Sequence, residues 1–226
     1  MDWPALIWSA GAYLAGTFPS TFLVARAKHA SSLLSAAERS SGETDAHILM
    51  TKHLGVGWTA LAATLDVLKG FIYVLVARHV GHVDDAWMAL VGVLIVVGHT
   101  FPFYARQMAG RGLAGAAGVF LVLLPVEMTI AGILIVIGGA TRNTSLSSTI
   151  GMGSVPVVSA VQGQPGPFVA MSGAIFAILM IRRLEGVGDV IRAGVTPFRA
   201  ILYRTVFDSS GPPARPFRPV GEEELP

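Results

Sequence analysis

The sequence predicts an all-α fold: a polytopic membrane helix bundle with about seven spans, the N-terminus outside and the C-terminus inside. Of its 226 residues, 53% are hydrophobic and only 13% are charged, and the mean hydropathy is +0.63. This composition lies far from that of a typical soluble domain. Apolar segments recur along the chain between polar breaks, and lysine and arginine concentrate in alternate breaks. These three observations together favour a bundle that crosses a bilayer repeatedly.

Seven apolar segments are candidates for spanning helices: residues 3–25, 54–77, 86–104, 113–124, 127–139, 149–161 and 168–181. Several are shorter than the roughly 20 residues that a lone spanning helix needs, so they require shelter from neighbouring helices. Glycine is abundant inside them, which favours close helix contacts where lipid supplies no hydrophobic drive for association. Because the chain starts without a basic n-region, the first segment is expected to be retained rather than cleaved as a signal peptide.

Positive charge is distributed unequally between the two sides of the predicted bundle. One side collects Arg26, Lys28, Arg39, Lys52, Arg106, Arg111, Arg142 and all seven arginines from Arg182 onward. The other side has Arg78 together with Asp2, Asp84, Asp85 and Glu127. Lysine and arginine in short loops favour the cytoplasm, so the first side is predicted to be cytoplasmic.

The chain divides into three predicted parts. Residues 1–183 form the transmembrane bundle. Residues 184–207 mix apolar side chains with arginines and are predicted to form a basic amphipathic helix lying on anionic lipid. Residues 208–226, rich in proline and ending in acidic residues, are predicted to form a flexible tail.

Two charged residues lie inside the second apolar segment. Asp66 and Lys69 are three residues apart, which places them on one helical face and allows them to pair. Each charge costs roughly 2.5–3.5 kcal/mol at the centre of a spanning helix, so an offsetting partner, a wet cavity or a ligand is required. The pair is therefore interpreted as part of a functional site, with a purely structural ion pair as the alternative.

A second candidate site lies where the third segment ends. His99 precedes the turn at Pro102, and Arg111 lies between Gly110 and Gly112. Glycines leave backbone N–H groups open to an anion, and arginine binds phosphate through two hydrogen bonds, so the pattern predicts a phosphate site. The alternative is an arginine that only sets topology, beside a capped histidine.

The third candidate is the hydroxyl-rich stretch 141–148, interpreted as a loop with one cation, Arg142, on the predicted cytoplasmic side, whose hydroxyls could hold a polyol phosphate. Capping of the next helix is the alternative.

The stretch from His79 to Asp84 has the histidine-x4-aspartate spacing of another class of acyltransferase. It is discounted because it falls in a loop predicted to lie outside. The chain has no cysteine, which excludes a thiolate nucleophile and a cysteine metal site.

Several short motifs occur in an order that resembles the bacterial acyl-phosphate:glycerol-3-phosphate acyltransferase family. They are Gly16-Thr17-Phe18-Pro19-Ser20, Asp66-x-x-Lys69-Gly70, Gly98-His99-x-Phe101-Pro102, Gly110-Arg111-Gly112 and Thr141-Arg142-x-x-Ser145-Leu146-x-Ser148. The resemblance covers roughly residues 10 to 194. It implies a seven-span enzyme of the bacterial inner membrane, with a cytoplasmic active face, that transfers a fatty acyl group from acyl phosphate to glycerol 3-phosphate. It implies no metal and no nucleotide.

The resemblance also implies roles for individual residues. Lys69, His99 and Arg111 are the expected catalytic residues, of which Lys69 and Arg111 screen charge on the phosphate. The expected substrate-binding residues are Ser41, Gly42, Lys52, Asp66, Gly110, Gly112, Arg142 and Ser145. Arg183 and Arg192 are similar to the family's basic C-terminal motif, although the asparagine of that motif has no clear counterpart.

The chain departs from the family pattern at two places. Arg111 stands where the family has a lysine, a cationic but non-identical replacement. In the first cytoplasmic loop, Ser41 and Gly42 match a glycine-rich segment that cradles acyl phosphate, but Glu43 and Asp45 bring negative charge there. Each carboxylate repels a phosphate about 5 Å away by around 1–2 kcal/mol in a solvent-exposed loop.

Two alternatives to an enzyme therefore stay open. The first is a non-catalytic relative that binds lipid or assembles with a protein partner through the C-terminal tail, which the acidic loop favours. The second is a transporter, which the placement of all polar clusters toward one side disfavours. Under each of these hypotheses, membrane lipid is an expected partner and nucleic acid is not.

Overall fold

The computed structural model describes residues 2–30, 46–104, 110–140, 144–185, 187–192, 194–202 and 204–205. This part of the chain is helical and contains no strand, which confirms the predicted all-α class. Its helices, in chain order, are α1 (Trp3–Gly16), α2 (Ser20–Ala27), α3 (Ala46–Leu54), α4 (Val56–His79), α5 (Asp85–Thr100), α6 (Leu113–Leu123), α7 (Pro125–Ala140), α8 (Thr144–Val161), α9 (Gly166–Arg183), α10 (Val187–Arg192) and α11 (Pro197–Leu202).

The first predicted segment, 3–25, is not one continuous helix. It breaks after Gly16 and resumes at Ser20 as α2. Pro19 accounts for the break, because its ring excludes the preceding residue from helical dihedrals and it lacks a backbone N–H. The Thr17 hydroxyl donates to the Leu14 carbonyl at 2.7 Å and closes the end of α1. The other six predicted segments each correspond to one helix, α4 to α9.

The helix α8 begins earlier than predicted, at Thr144 rather than near residue 149. Ser145 and Ser148 therefore lie on a helix and not in a loop. The hydroxyls of Ser148 and Thr149 donate to the Ser145 carbonyl at 2.9 and 3.0 Å, so these side chains support the first turn of the helix. Residues 141–143 lie outside the described residues.

Several glycines allow helices of the bundle to approach closely. A Cβ on Gly16 of α1 would lie 2.2 Å from the Ile95 carbonyl oxygen of α5, and one on Gly98 of α5 would lie 2.2 Å from the Tyr13 carbonyl oxygen. A Cβ on Gly118 of α6 would lie 2.1 Å from the Val67 carbonyl oxygen of α4. No larger residue fits at these crossings, so the predicted role of glycine in helix packing is confirmed there.

Large apolar side chains cover the outside of the bundle. Val136 in α7 and Val157 in α8 are 72% and 62% exposed, for example. The helices α4 and α9 have the length and apolar composition to cross a membrane, whereas α5 to α8 are apolar but shorter over the residues assessed. An apolar exterior of this kind is typical of a surface that faces lipid.

The C-terminal part differs from the single helix predicted over 184–207. Two six-residue helices, α10 and α11, take its place. Gly194 lies between them with a φ of +92°, a left-handed conformation that ends a helix, and Pro197 starts α11. Residues 206–226, which include the predicted tail, lie outside the described residues.

The end of the bundle where α4 ends and α5 begins has structural polar contacts. The Asp84 carboxylate accepts hydrogen bonds from the Ala86 and Trp87 backbone N–H groups, both at 3.0 Å, and so caps α5. Glu127 at the start of α7 is fully buried and accepts a hydrogen bond from the Gln164 amide at 2.8 Å. The capping role of Asp84 explains its presence at this position without a catalytic role.

Candidate functional site

A cavity of about 380 Å³ opens at one end of the bundle. It lies where α4, α6 and α8 begin and where α5 and α9 end. Its polar lining residues are His47, Thr59, His99, Arg111, Ser145, Ser148 and Arg183. Its volume is within the range of small-molecule sites in proteins, roughly 300–1,000 Å³.

Apolar side chains form the rest of the cavity wall, among them Leu113, Met152, Leu179 and Met180. No carboxylate is found among the lining residues in the described part of the chain. Two arginines face a mixed wall of hydroxyls, imidazoles and apolar groups, so the cavity suits an anionic molecule that also has an apolar portion.

A buried carboxylate lies behind the cavity. Asp66 in α4 is 1% exposed. Its Oδ1 atom lies 2.7 Å from Lys69 Nζ and 3.5 Å from His99 Nδ1, and its Oδ2 atom lies 3.4 Å from His47 Nε2. The ion pair predicted from the spacing of Asp66 and Lys69 is therefore present. This pairing offsets the cost of burying both charges in an apolar bundle.

Lys69 joins three elements of the structure. Besides the ion pair, its Nζ atom lies 2.9 Å from His99 Nδ1 and donates to the Phe18 carbonyl at 3.0 Å. Phe18 belongs to the break between α1 and α2, and His99 belongs to the last turn of α5. Lys69 is not among the described residues that line the cavity, but it contacts His99, which lines it.

The glycines around Arg111 have two separate structural roles. A Cβ on Gly110 would lie 2.2 Å from His99 Nε2, so only glycine allows the chain to pass this close to the imidazole. Gly112 has a φ of +93° and forms the N-cap of α6. This left-handed conformation favours glycine and turns the chain into α6 while Arg111 faces the cavity.

Arg183, the last residue of α9, forms a hydrogen-bonded centre on the opposite wall. Its Nη1 atom donates to Thr149 Oγ1 at 2.6 Å and to Ser145 Oγ at 3.0 Å, and its Nη2 atom donates to Ser148 Oγ. It also donates to the Thr205 carbonyl at 3.2 Å. One guanidinium thus ties the start of α8 to the C-terminal segment beside the cavity.

The structure brings most of the predicted site residues together. His99, Arg111, Gly112 and Ser145 line the cavity, Gly110 contacts His99, and Asp66 and Lys69 lie directly behind. Lys52 is exposed on α3 and is not among the lining residues. Ser41, Gly42 and Arg142 lie outside the described residues, as do Glu43 and Asp45.

Four polar lining residues, His47, Thr59, Ser148 and Arg183, were not predicted as ligands from the sequence, and Arg183 was noted only as similar to the family's basic C-terminal motif. His47 and Thr59 belong to α3 and α4, and no local spacing links either of them to His99 or Arg111. Ser148 lay within the predicted hydroxyl-rich loop but was not distinguished from its neighbours. The spacing of Ser145, Ser148 and Thr149, three or four residues apart, could have indicated that their hydroxyls share one helical face.

Comparison with known proteins agrees with the motif resemblance. A family model described as glycerol-3-phosphate acyltransferase matches residues 6–192. A protein named glycerol-3-phosphate acyltransferase from Geobacter sulfurreducens is 33% identical over 199 residues, which cover 86% of this chain and 98% of that protein. A protein of the same name from Gloeobacter violaceus is 30% identical over 203 residues, with coverages of 87% and 96%.

Two crystal structures of PlsY (YgiH), described as an integral membrane glycerol 3-phosphate acyltransferase, share this fold. The glycerol 3-phosphate form has a TM-score of 0.71 at 26% identity and covers 84% of this chain and 92% of that one. The lysophosphatidic acid form has a TM-score of 0.70 at 25% identity, with coverages of 88% and 98%. Sequence and structure therefore agree, and the chain belongs to the glycerol-3-phosphate acyltransferase family.

Proposed function

We propose that this protein transfers a fatty acyl group from acyl phosphate to glycerol 3-phosphate in phospholipid synthesis. The observation that carries the proposal is the convergence of His99, Arg111, Ser145 and Arg183 on one cavity. These residues come from four different helices or helix ends, and their shared chemistry is the binding of phosphate oxygens. Membership of the family supports the same reaction.

The proposed reaction needs no side-chain nucleophile. A hydroxyl oxygen of glycerol 3-phosphate attacks the carbonyl carbon of acyl phosphate, the bond from that carbon to the phosphate oxygen breaks, and inorganic phosphate leaves. The hydroxyl proton ends on the released phosphate, so the step balances. Cations and N–H donors stabilise negative charge on the carbonyl oxygen and on the leaving phosphate as it develops.

The roles proposed for individual residues follow from their positions. Arg111 and Arg183 bind phosphate groups, and the Ser145 hydroxyl orients the acceptor. Asp66 and Lys69 hold His99 from behind the cavity wall. Ser41, Gly42 and Arg142 keep their predicted substrate-binding roles, while Lys52 is not assigned one, because it is not among the described residues that line the cavity.

The protein is proposed to cross the bacterial inner membrane seven times, with the cavity facing the cytoplasm. The cavity lies at the end of the bundle where α4 begins, and Lys28 at the end of α2 lies 3.7 Å above the Trp58 ring at this same end. Arg182 and Arg183 of α9 also lie there, whereas Asp84 and Asp85 lie at the opposite end. This charge difference supports a cytoplasmic cavity, an outer N-terminus and an inner C-terminus.

The C-terminal part is proposed to lie on the cytoplasmic lipid surface. Phe198 and Ile201 of α11 are 76% and 45% exposed, and Arg192 and Arg199 lie nearby in the chain. Apolar and cationic groups side by side favour an anionic lipid surface. A protein partner for the tail after residue 207 stays a prediction.

The alternative of a non-catalytic relative is not favoured, because the curated relatives of similar length carry the acyltransferase name. A transporter is not favoured either, because the cavity and its cations lie at one end of the bundle.

Acyl transfer is tested with purified protein, labelled glycerol 3-phosphate and palmitoyl phosphate, with lysophosphatidate as the measured product. We expect product from the wild type and a loss of about 100-fold in rate for Arg111→Ala, the magnitude expected when one charge-stabilising donor is removed. Arg78→Ala is the matched control, because Arg78 lies at the other end of the bundle over the Phe168 ring. We expect the Arg78→Ala variant to form lysophosphatidate at the wild-type rate.

Two outcomes would contradict the proposal in different ways. No lysophosphatidate above the Arg111→Ala background would support a non-catalytic relative. Full activity in Arg111→Ala would leave the reaction in place and remove Arg111 from the site.

A further inference from the structure

The contacts of Lys69 determine which ring nitrogen of His99 carries hydrogen. Lys69 Nζ has three neighbours: Asp66 Oδ1 at 2.7 Å, His99 Nδ1 at 2.9 Å and the Phe18 carbonyl oxygen at 3.0 Å. An ammonium group has three N–H donors and no acceptor. Asp66 holds the ammonium as an ion-pair partner, and the Phe18 carbonyl accepts one of its hydrogen bonds. Because an ammonium group cannot accept, the 2.9 Å contact is one in which Lys69 donates and His99 Nδ1 accepts.

A second arrangement is available in principle, in which His99 Nδ1 donates to Asp66. The distance from Nδ1 to Asp66 Oδ1 is 3.5 Å, longer than the 2.9 Å between Nδ1 and Lys69 Nζ. A hydrogen on Nδ1 would also point against the hydrogens of the ammonium group. The shorter contact therefore decides the arrangement, and Nδ1 carries no hydrogen.

The hydrogen of a neutral His99 ring then lies on Nε2, the nitrogen on the edge away from Lys69. This edge faces Gly110, whose added Cβ would lie 2.2 Å from Nε2. His99 and Arg111 line the same cavity, while Lys69 does not. Because Nδ1 is turned to Lys69, which is not a lining residue, Nε2 is the ring nitrogen left to serve the cavity that His99 and Arg111 line.

We propose that Lys69 is a positioning residue that holds His99 as the Nε2–H tautomer, so that His99 donates a hydrogen bond to a substrate oxygen. His99 is then a donor to developing negative charge and does not act as a general base through Nε2. The Phe18 carbonyl and Asp66 keep the ammonium in place. That this oxygen belongs to an acyl phosphate or a glycerol phosphate rests on the proposed function. The assignment of the tautomer does not.

The other charged and titratable groups around the ring are consistent with this assignment. His47 of α3 contacts the second oxygen of Asp66, with Nε2 3.4 Å from Oδ2. Arg111, which precedes α6, adds a second cation at the cavity side. A positive charge on the ring itself would bring a further cation against Lys69, which a single carboxylate cannot offset at this burial.

The tautomer is tested directly by nitrogen NMR of the full-length protein with ¹⁵N-labelled histidine, without reference to activity. The His99 signals are assigned as those lost in His99→Gln. We expect a neutral ring with a protonated Nε2 and an unprotonated Nδ1 in the wild type and in Lys28→Met, the same substitution at a lysine outside the cluster. A protonated Nδ1, or protonation of both nitrogens, would overturn the proposal.

Kinetics supply a second test through three variants. Glutamine places an N–H donor near the position of Nε2 but is not a base. We therefore expect His99→Gln to retain at least about tenfold more activity than His99→Ala, which lacks the donor. Equal loss in both variants would indicate a base and overturn the donor role. Lys69→Met is expected to lose more than about tenfold in kcat, and in its NMR spectrum the single Nε2–H tautomer is expected to be lost.

The failures of the two proposals are distinguishable. If the wild type transfers no acyl group but shows the Nε2–H ring, the proposed function fails and the positioning role of Lys69 stands. If Lys69→Met does not fold, the wild-type spectrum still decides the tautomer.

Discussion

Arg183 at the end of α9 donates a 2.6 Å hydrogen bond to the hydroxyl of Thr149 in α8. The same guanidinium contacts the Thr205 carbonyl in the C-terminal segment. Arg183 therefore links the α8 and α9 sides of the cavity wall and also lines the cavity. We therefore expect substitutions of Arg183 to affect both the stability of the protein and the binding of substrate.

We predict that Arg183→Lys raises the KM for glycerol 3-phosphate at least about tenfold. Lysine retains the charge, but it lacks the planar set of donors that contacts several oxygens at once. The neighbouring Arg182→Lys is the matched control, because Arg182 pairs with Glu185 and is not among the cavity-lining residues. Steady-state kinetics of both variants provide the measurement. Similar KM values in the two would show that Arg183 does not bind the acceptor.

Gly110→Ala is predicted to lower the rate of acyl transfer strongly while leaving the bundle folded. The added Cβ would lie 2.2 Å from His99 Nε2, so the imidazole or the chain must move. A displacement of this size at a reacting centre reduces rates by about 100-fold. Gly132→Ala is the control, since no atom lies within 4 Å of its added Cβ. An unchanged rate in Gly110→Ala would contradict the close contact.

Gly118→Ala is predicted to destabilise the bundle by about 1–3 kcal/mol, the usual cost of overpacking. Its Cβ would lie 2.1 Å from the Val67 carbonyl oxygen, and backbone cannot yield as a flexible side chain can. Thermal unfolding in detergent gives the measurement, again with Gly132→Ala for comparison. Equal unfolding temperatures would mean that α4 and α6 do not cross as closely as described.

Asp66 and Lys69 are predicted to be strongly coupled in stability. Asp66→Asn leaves a buried ammonium group without its carboxylate and is expected to cost about 3–5 kcal/mol. Lys69→Met leaves a buried carboxylate near two histidines and is also expected to destabilise. The double variant Asp66→Asn with Lys69→Met is expected to be more stable than the sum of the single effects predicts, by at least about 1 kcal/mol. Additive effects in unfolding experiments would show that the pair is not a coupled ion pair.

The helices were largely predictable because their signal is local. A run of apolar residues such as 113–124 is sufficient to indicate a helix in a membrane protein, where backbone groups must be satisfied within the segment. The break at Pro19 follows from the proline ring, but its consequence for the Phe18 carbonyl does not. That carbonyl accepts from Lys69, 51 residues away in the chain. The start of α8 was placed too late because serine and threonine favour loops and helix caps equally well.

The site was predictable in its composition and only partly in its geometry. The pairing of Asp66 with Lys69 follows from helical spacing, and the cationic glycine-flanked turn at Arg111 follows from local chemistry. The charge-screening role predicted for Lys69 stays a prediction; the spacing did not indicate its 2.9 Å contact with His99, which lines the cavity while Lys69 does not. Lys52 was included as a possible counterpart of a family arginine; it is not among the described residues that line the cavity, and its role stays a prediction.

The amino-acid sequence by itself determined the helical class, the order of the apolar segments, the unequal distribution of positive charge and the family to which the chain belongs. These four properties depend on composition and on short motifs, and each can be inferred from one segment of the sequence at a time. Only the tertiary structure decided that His47, His99, Arg111, Ser145 and Arg183 share one cavity, and that Lys69 contacts the imidazole of His99. These contacts join residues that are far apart in the chain. They depend on how the helices pack, including the close approaches that glycines allow.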